Sequence, residues 1–132
     1  MYLLDTCTLS DYIKGDANTI KRLRKEKPID IYISAITVFE IDYGLRLKLS
    51  LIKKVAPQLK AIYDAVEIID FTPTEAYQAS QIRKDLKEAG TPIGAYDLLI
   101  ASISLVNELI LVTSNTKEFS RVKNLNLENW RS

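Results

Sequence analysis

The 132-residue chain contains no histidine. Histidine is the commonest general acid–base residue and a member of the Ser-His-Asp and Cys-His nucleophile systems, so its absence excludes these systems. It also excludes zinc sites that use imidazole ligands. If the protein is an enzyme, carboxylates and a bound metal ion are therefore the expected catalytic groups.

Cysteine, long apolar runs and net charge are scarce as well. Cys7 is the only cysteine, so the chain forms no internal disulfide and we expect a reducing, cytoplasmic setting. No apolar run approaches the roughly 20 residues that span a bilayer, and the apolar start lacks the basic residues of a signal peptide. The net charge is only +1, and 21–27 is a local basic run. That run is either a solvated helix face or a surface that contacts phosphates.

Short apolar stretches of strand length alternate with longer stretches of helical spacing. We expect strands within 1–5, 29–35, 65–70, 109–114 and 125–129. We expect helices within 8–15, 17–27, 37–49, 50–64, 72–90, 94–108 and 116–122. This alternation predicts an α/β fold with a mainly parallel central sheet. No repeat or flexible linker interrupts it, so a single domain over residues 1–132 is expected.

Three carboxylates occupy equivalent places in this pattern. Asp5 ends the first strand, Glu40 lies in the first turn after the second strand, and Asp97 lies in the first turn of an apolar helix. The C-terminal ends of parallel strands and the helix N-termini that follow them share one edge of a sheet. We therefore expect the three carboxylates to converge.

Each carboxylate also has a local explanation. Asp5 can cap the helix that follows it, and Asp97 suits the positive end of its own helix. Glu40 stands three residues after Thr37, which is the spacing of a capping box. Caps are far commoner than catalytic acids, so for each residue taken singly a purely structural role is the preferred interpretation.

The surroundings of Asp97 favour a bound cation. Residues 94–102 place this carboxylate against leucine and isoleucine, where burying an unpaired charge is costly. Hard oxygen ligands without cysteine or histidine suit Mg²⁺, with Mn²⁺ as the alternative ion. Taken together, Asp5, Glu40 and Asp97 predict a carboxylate metal site.

Four segments of the chain resemble the sequence blocks of PIN-domain ribonucleases, and more narrowly those of the toxin subunits of VapBC toxin–antitoxin pairs. The segments are LLDT (3–6), ITVFEIDYG (36–44), GTPIGAYDLLIA (90–101) and LVTSNTKEF (111–119), and they occur in the family's order. The resemblance implies a PIN-like three-layer α/β/α domain with an acidic, Mg²⁺-dependent phosphodiesterase site.

The resemblance also implies roles for individual residues. The metal-site acids of the family match Asp5, Glu40 and Asp97. Its further binding positions match Thr6, Thr113 and Asn115. Asn115 falls where some members carry a fourth aspartate, and Glu118 is the other candidate for the fourth catalytic carboxylate. Glu118 also has a structural alternative, as an exposed residue of a short helix.

The activity implied by the resemblance is hydrolysis of RNA by an endoribonuclease toxin. The implied partners are a tRNA or rRNA substrate, a cognate antitoxin and a second copy of the chain, without a membrane. Two alternatives are a PIN-fold nuclease of RNA processing or DNA repair and a catalytically inactive PIN-like binding module. Tyr12, Tyr43 and Tyr96 can stack on unpaired bases, although core packing is the preferred expectation for these rings.

Overall fold

The computed structural model describes residues 1–131, and Ser132, the last residue of the predicted domain, lies outside them. The strands are β1 (Tyr2–Leu4), β2 (Ile31–Ser34), β3 (Glu67–Ile69), β4 (Ile110–Val112) and β5 (Leu127–Glu128). They form one sheet in the order β3-β2-β1-β4-β5, and every neighbouring pair is parallel. The predicted α/β fold with a mainly parallel sheet is confirmed.

The helices follow the predicted order. They are α1 (Thr6–Lys14), α2 (Ala17–Lys25), α3 (Ala35–Leu47), α4 (Ile52–Ala65), α5 (Pro73–Glu88), α6 (Ala95–Val106) and α7 (Thr116–Phe119). Helix α1 ends at Gly15, whose φ of 89° lies in the left-handed region that glycine adopts without strain. Two short 3₁₀ turns, Pro28–Asp30 and Leu49–Leu51, precede β2 and α4.

Side chains of the sheet alternate between two hydrophobic clusters, one on each face. Leu3 points into the cluster that is closed by α5, α6 and Phe119, whereas the adjacent Leu4 points into the cluster with α1, α4 and Trp130. The sheet is therefore covered by helices on both sides, which is why its strands read as continuous apolar runs. The expected three-layer arrangement is confirmed.

Burial of the middle of α6 fixes the position of its first turn. Leu98, Ile100 and Ile103 are buried in the cluster on one face of the sheet. A helix that is apolar nearly all round belongs in an interior, as the sequence predicted. No helix within residues 1–131 combines the length and the apolar character needed to cross a membrane.

The predicted capping box of α5 is present and buried. The Glu75 carboxylate accepts hydrogen bonds from the Thr72 backbone N–H, at 3.1 Å, and from the Thr72 hydroxyl. Its other oxygen accepts one from Asn107 Nδ2, at 3.1 Å, just beyond the end of α6. One carboxylate therefore caps α5 and ties it to α6, the helix that carries Asp97.

Replacing this carboxylate should destabilise the fold. We expect Glu75→Ala to lower the free energy of unfolding by about 2 kcal/mol, because it removes a helix cap and one of the two acceptors of Asn107 Nδ2. Urea denaturation at neutral pH measures the change. The control is Glu88→Ala in the last turn of the same helix, where only an exposed ion pair with Lys84 is lost and a change below about 0.5 kcal/mol is expected. Equal effects of the two variants would contradict the assignment.

Candidate active site

The C-terminal ends of β1, β2 and β4 lie side by side at one edge of the sheet. Leu4 is in register with Ile33 of β2 and with Val112 of β4, so the residues that follow these strands emerge at the same level. The backbone N–H of Asp5 donates to the carbonyl of Val112, at 3.1 Å. We call this the acidic edge, because the candidate carboxylates lie along it.

Asp5 is held rigidly at the centre of the acidic edge. Its side chain is 2% exposed, and its Oδ1 accepts a hydrogen bond from the Thr8 backbone N–H at 2.8 Å. The predicted cap of α1 is therefore confirmed. Burial raises the pKa of Asp5 above its usual value, although hydrogen bonds from Thr113 and Thr8 oppose the increase.

Glu40 points toward α1 and does not cap its own helix. The capping box expected between Thr37 and Glu40 is wrong, because α3 begins at Ala35 and Ser34 already caps it by accepting from the Thr37 N–H at 3.1 Å. Glu40 Oε1 instead accepts a hydrogen bond from the Thr6 hydroxyl at 2.7 Å. This contact joins the first turn of α1 to the second turn of α3, so Glu40 lies one turn further along its helix than the sequence predicted.

Glu118 accepts a hydrogen bond from the backbone N–H group to which a capping carboxylate of α6 would bind. The N–H of Gly94, the residue before α6, donates to Glu118 Oε1 at 2.7 Å, and Asn115 Nδ2 donates to Glu118 Oε2 at 2.6 Å. Glu118 is half-buried with both oxygens bonded, so the exposed role considered for it is wrong. These two bonds, the first from Gly94, lower the pKa of Glu118.

Asp97 consequently keeps its carboxylate for other partners. It lies in the first turn of α6, where an acidic residue often reaches back to the N-cap, but that N–H is already taken by Glu118. Within residues 1–131 the Asp97 carboxylate accepts no hydrogen bond. Burial raises the pKa of Asp97 to about 6, and the negative charges of Glu118, Asp5 and Glu40 add to the increase.

The structure thus brings the four predicted acids into one electrostatic cluster. Thr6 contacts Glu40, Thr113 contacts Asp5, and the Thr113 hydroxyl also accepts from the Asn115 N–H at 2.9 Å. As the side chains stand, however, no three acidic or cysteine side chains within residues 1–131 are close enough to enclose one metal ion. Carboxylate and hydroxyl oxygens therefore lie together along the acidic edge, and the negative charge of Asp97 is left uncompensated.

Sequence reasoning missed three neighbours of this cluster. Ser34 and Gly94 are the N-cap residues of α3 and α6. Phe39 contacts two other aromatic rings in an exposed group. The rings of Phe39 and Tyr43 stack at 6.5 Å, and the Phe39 ring meets that of Tyr96 edge-on at 5.5 Å. The spacing of Phe39 and Tyr43, four residues apart on a helix, is the signal that could have found the pair.

Two of the three expectations about tyrosines are wrong. Tyr43 is 57% and Tyr96 47% exposed, so neither ring packs in the core. Tyr12 is half-buried against the cluster that contains Leu9 and Trp130, in line with the expectation of core packing. Because Phe39 and Tyr96 directly precede Glu40 and Asp97 in the sequence, the exposed rings lie beside the acidic edge.

Comparisons with known proteins agree over almost the whole chain. The model of the PIN domain matches residues 2–125. Ribonuclease VapC2 of Rickettsia felis is 36% identical over 98% of both chains, and the tRNA(fMet)-specific endonuclease VapC of Salmonella typhimurium is 31% identical over 98% of this chain and 97% of its own. A chain of the crystal structure of VapBC2 from Rickettsia felis, bound to a DNA fragment from their promoter, superposes with a TM-score of 0.89 over 98% of both chains at 35% identity.

The uncompensated charge of Asp97 should make stability depend on pH. The pKa of Asp97 is higher in the folded protein, about 6, than its ordinary value of 3.8, so protonation favours the folded state and this advantage is lost as pH rises through 6. Asp97→Asn never ionises. In metal-free buffer at pH 7.5 we expect this variant to be more stable than the unmodified protein by about 1–2 kcal/mol, after allowing for solvent screening.

The difference should vanish below about pH 3, where the carboxyl group is protonated in both states. Urea denaturation in chelator across this range measures it. The control is Asp42→Asn, which removes an exposed carboxylate from α3 and should change stability by less than about 0.5 kcal/mol. Destabilisation by Asp97→Asn at pH 7.5 would instead assign Asp97 a capping role.

Proposed function

The chain belongs to the PIN domain family, among its VapC ribonucleases, and from this premise we propose that its acidic edge is the active site of an endoribonuclease toxin that requires a divalent metal ion. The catalytic groups in this proposal are Asp5, Glu40, Asp97 and Glu118. Thr6, Thr113 and Asn115 orient them. The domain extends over residues 1–132.

One observation carries the proposal. Asp97 is a half-buried carboxylate with no hydrogen-bond donor within residues 1–131, and it faces the charge of three other carboxylates. Such an arrangement is unfavourable for folding unless a cation compensates it. Structural acids in this chain are treated differently, since Glu75 is surrounded by donors from Thr72 and Asn107.

The donor set suits Mg²⁺, which is the proposed ion, with Mn²⁺ as a substitute. Asp97 and Asp5 would contact the ion directly, while Glu118, whose oxygens are both bonded, would act through water. Mg²⁺ commonly keeps several water ligands, so a site need not be closed by three protein groups before the ion arrives. When bound, the ion offsets negative charge on the phosphate and lowers the pKa of water.

The remaining chemistry is assigned to the chain's own residues. Glu40 is fixed by one hydrogen bond, from Thr6, and its second oxygen accepts none within residues 1–131. That oxygen is the proposed acceptor for the proton of the attacking water. Thr113 orients Asp5, and the Gly94 N–H with Asn115 keeps Glu118 ionised as a fixed negative charge.

The relatives guide the proposed substrate and partners. One relative is named a tRNA(fMet)-specific endonuclease and one matching chain belongs to a VapBC complex bound to promoter DNA. We infer a tRNA substrate, with rRNA as the alternative, together with a cognate antitoxin, a homodimer and a cytoplasmic location. The exposed rings of Phe39, Tyr43 and Tyr96 support contact with unpaired RNA bases.

Carboxamide variants test the catalytic assignment. We expect Asp5→Asn and Asp97→Asn each to slow cleavage of a tRNA transcript by at least about 100-fold, because each removes a carboxylate proposed to hold the metal ion that offsets charge on the phosphate. Asparagine can still cap α1 at position 5, so circular dichroism and melting should show a retained fold. Asp42→Asn is the matched control and should cleave normally. Unimpaired cleavage by either active-site variant would refute the assignment.

The same variants identify the RNA in cells. RNA ends should be sequenced after induced expression of the unmodified chain and of Asp5→Asn. Cuts that appear only with the unmodified chain are the expected result and report the substrate. Identical RNA ends in the two cultures would favour the catalytically inactive binding module.

Metal removal provides a separate test. Chelation should abolish cleavage, and added Mg²⁺ should restore it, because only a cation offsets the acidic edge as the phosphate approaches. Calorimetric titration should detect Mg²⁺ binding to the unmodified protein and to Asp42→Asn, but not to the Asp5→Asn/Asp97→Asn double variant. Full cleavage in chelator, or undiminished Mg²⁺ binding by the double variant, would exclude the proposed metal site.

A further inference from the structure

A groove of about 360 Å³ lies between α2 and the C-terminal segment, and it takes no part in the acidic edge. Lys21, Arg22 and Lys25 line it from α2, and Trp130 and Arg131 line it from the other side. The basic run that the sequence left between two interpretations therefore forms one wall of a concave surface. We call it the basic groove.

The second wall of the basic groove is firmly attached. The Trp130 side chain is 5% exposed, its ring meets that of Tyr2 edge-on at 5.3 Å, and the Arg22 guanidinium lies 5.0 Å from the Trp130 ring centre. Arg131 donates through two nitrogens to both oxygens of Asp11 on α1, each at 2.9 Å. These contacts give the groove a fixed shape.

The charges of the groove are unevenly compensated. Arg22 is paired with Glu26 and Glu128, and Arg131 is paired with Asp11. Lys21 and Lys25 are exposed, lie one helical turn apart on the same face, and form no ion pair within residues 1–131. Two ammonium groups are therefore available to an anion, and their spacing suits a chain of anions better than a single one.

The groove begins at the level of the acidic edge. Strand β5 runs parallel to β4 with Glu128 in register with Val112, so the segment that follows β5 leaves the sheet at the same edge as Thr113. Asp11, which holds Arg131, lies on the helix that Asp5 caps.

We propose that the basic groove binds the RNA strand as it leaves the acidic edge, with Lys21 and Lys25 each neutralising a phosphate. This inference rests on the proposed ribonuclease function and adds a substrate-binding surface to it. Four carboxylates repel a polyanion, so RNA requires compensating cations beside the cleaved bond. Lys21 and Lys25, which form no ion pair within residues 1–131, supply positive charge. The rigid second wall of the groove directs the RNA strand.

The test measures RNA binding without cleavage. In the Asp97→Asn background, Lys21→Gln/Lys25→Gln is compared with Lys53→Gln/Lys54→Gln. The control lysines are exposed and form no ion pair within the described residues, and they lie on α4, which packs against β3 at the opposite edge of the sheet. Fluorescence anisotropy with a labelled tRNA(fMet) transcript gives Kd between about 50 and about 200 mM KCl.

Each phosphate contact contributes about 0.7–0.9 to the slope of log K against log salt concentration. We expect the Lys21→Gln/Lys25→Gln pair to reduce that slope by roughly 1.5, and to weaken binding more than about tenfold at about 100 mM salt, with the control pair unchanged. Glutamine preserves helix propensity, so melting temperatures should stay equal. An unchanged slope, or the same loss in both pairs, would overturn the proposal.

Failure of this inference can be told apart from failure of the function. Suppose that the Lys21→Gln/Lys25→Gln variant keeps the normal slope, that the unmodified protein cleaves RNA and that Asp5→Asn does not. The proposed binding groove is then refuted, and the proposed nuclease function stands. If the slope falls as expected but even the unmodified protein does not cleave RNA, the groove stands as an RNA-binding surface and the nuclease proposal fails.

Discussion

Crowding of negative charge at the end of a buried sheet is the constraint on which the rest of this structure depends. Both faces of the sheet are covered by apolar side chains, so polar groups can gather only where the strands end. Asp5, Glu40 and Asp97 follow or face those ends, and burial at Asp5 and Asp97 makes their charges costly. Because the fold brings these negative charges together, a bound cation would stabilise it.

The chain limits that cost by giving most of the acids their own donors. Helix starts contribute the Thr8 and Gly94 N–H groups, and side chains contribute the hydroxyl of Thr6 and the amide of Asn115. Asp97 is the exception, because Glu118 takes the backbone donor that Asp97 would otherwise use. Within residues 1–131 this carboxylate has no hydrogen-bond donor, and its uncompensated charge supports the metal site that we propose for the acidic edge.

A pair of lysines and a group of aromatic rings are exposed outside the cluster of Asp5, Glu40, Asp97 and Glu118, although the net charge of the whole chain is only +1. Lys21 and Lys25, which form no ion pair within residues 1–131, lie in the groove between α2 and the C-terminal segment, while Phe39, Tyr43 and Tyr96 form an exposed group beside the acidic edge. Net charge therefore says little about RNA binding in this protein. The distribution of charge over the surface, which the fold creates, is the basis for the RNA-binding groove that we propose.

The sequence by itself determined the order of strands and helices, the capping box of Thr72 and Glu75, and the placing of Asp5 at a strand end, because these depend on period and spacing over a few residues. The tertiary structure alone decided how the acids are used. Glu118 reaches Gly94 across 24 residues, and Thr6 reaches Glu40 across 34. The tertiary structure also decided that Tyr43 and Tyr96 are exposed. Such contacts depend on how helices pack across a sheet, and no local pattern encodes that packing.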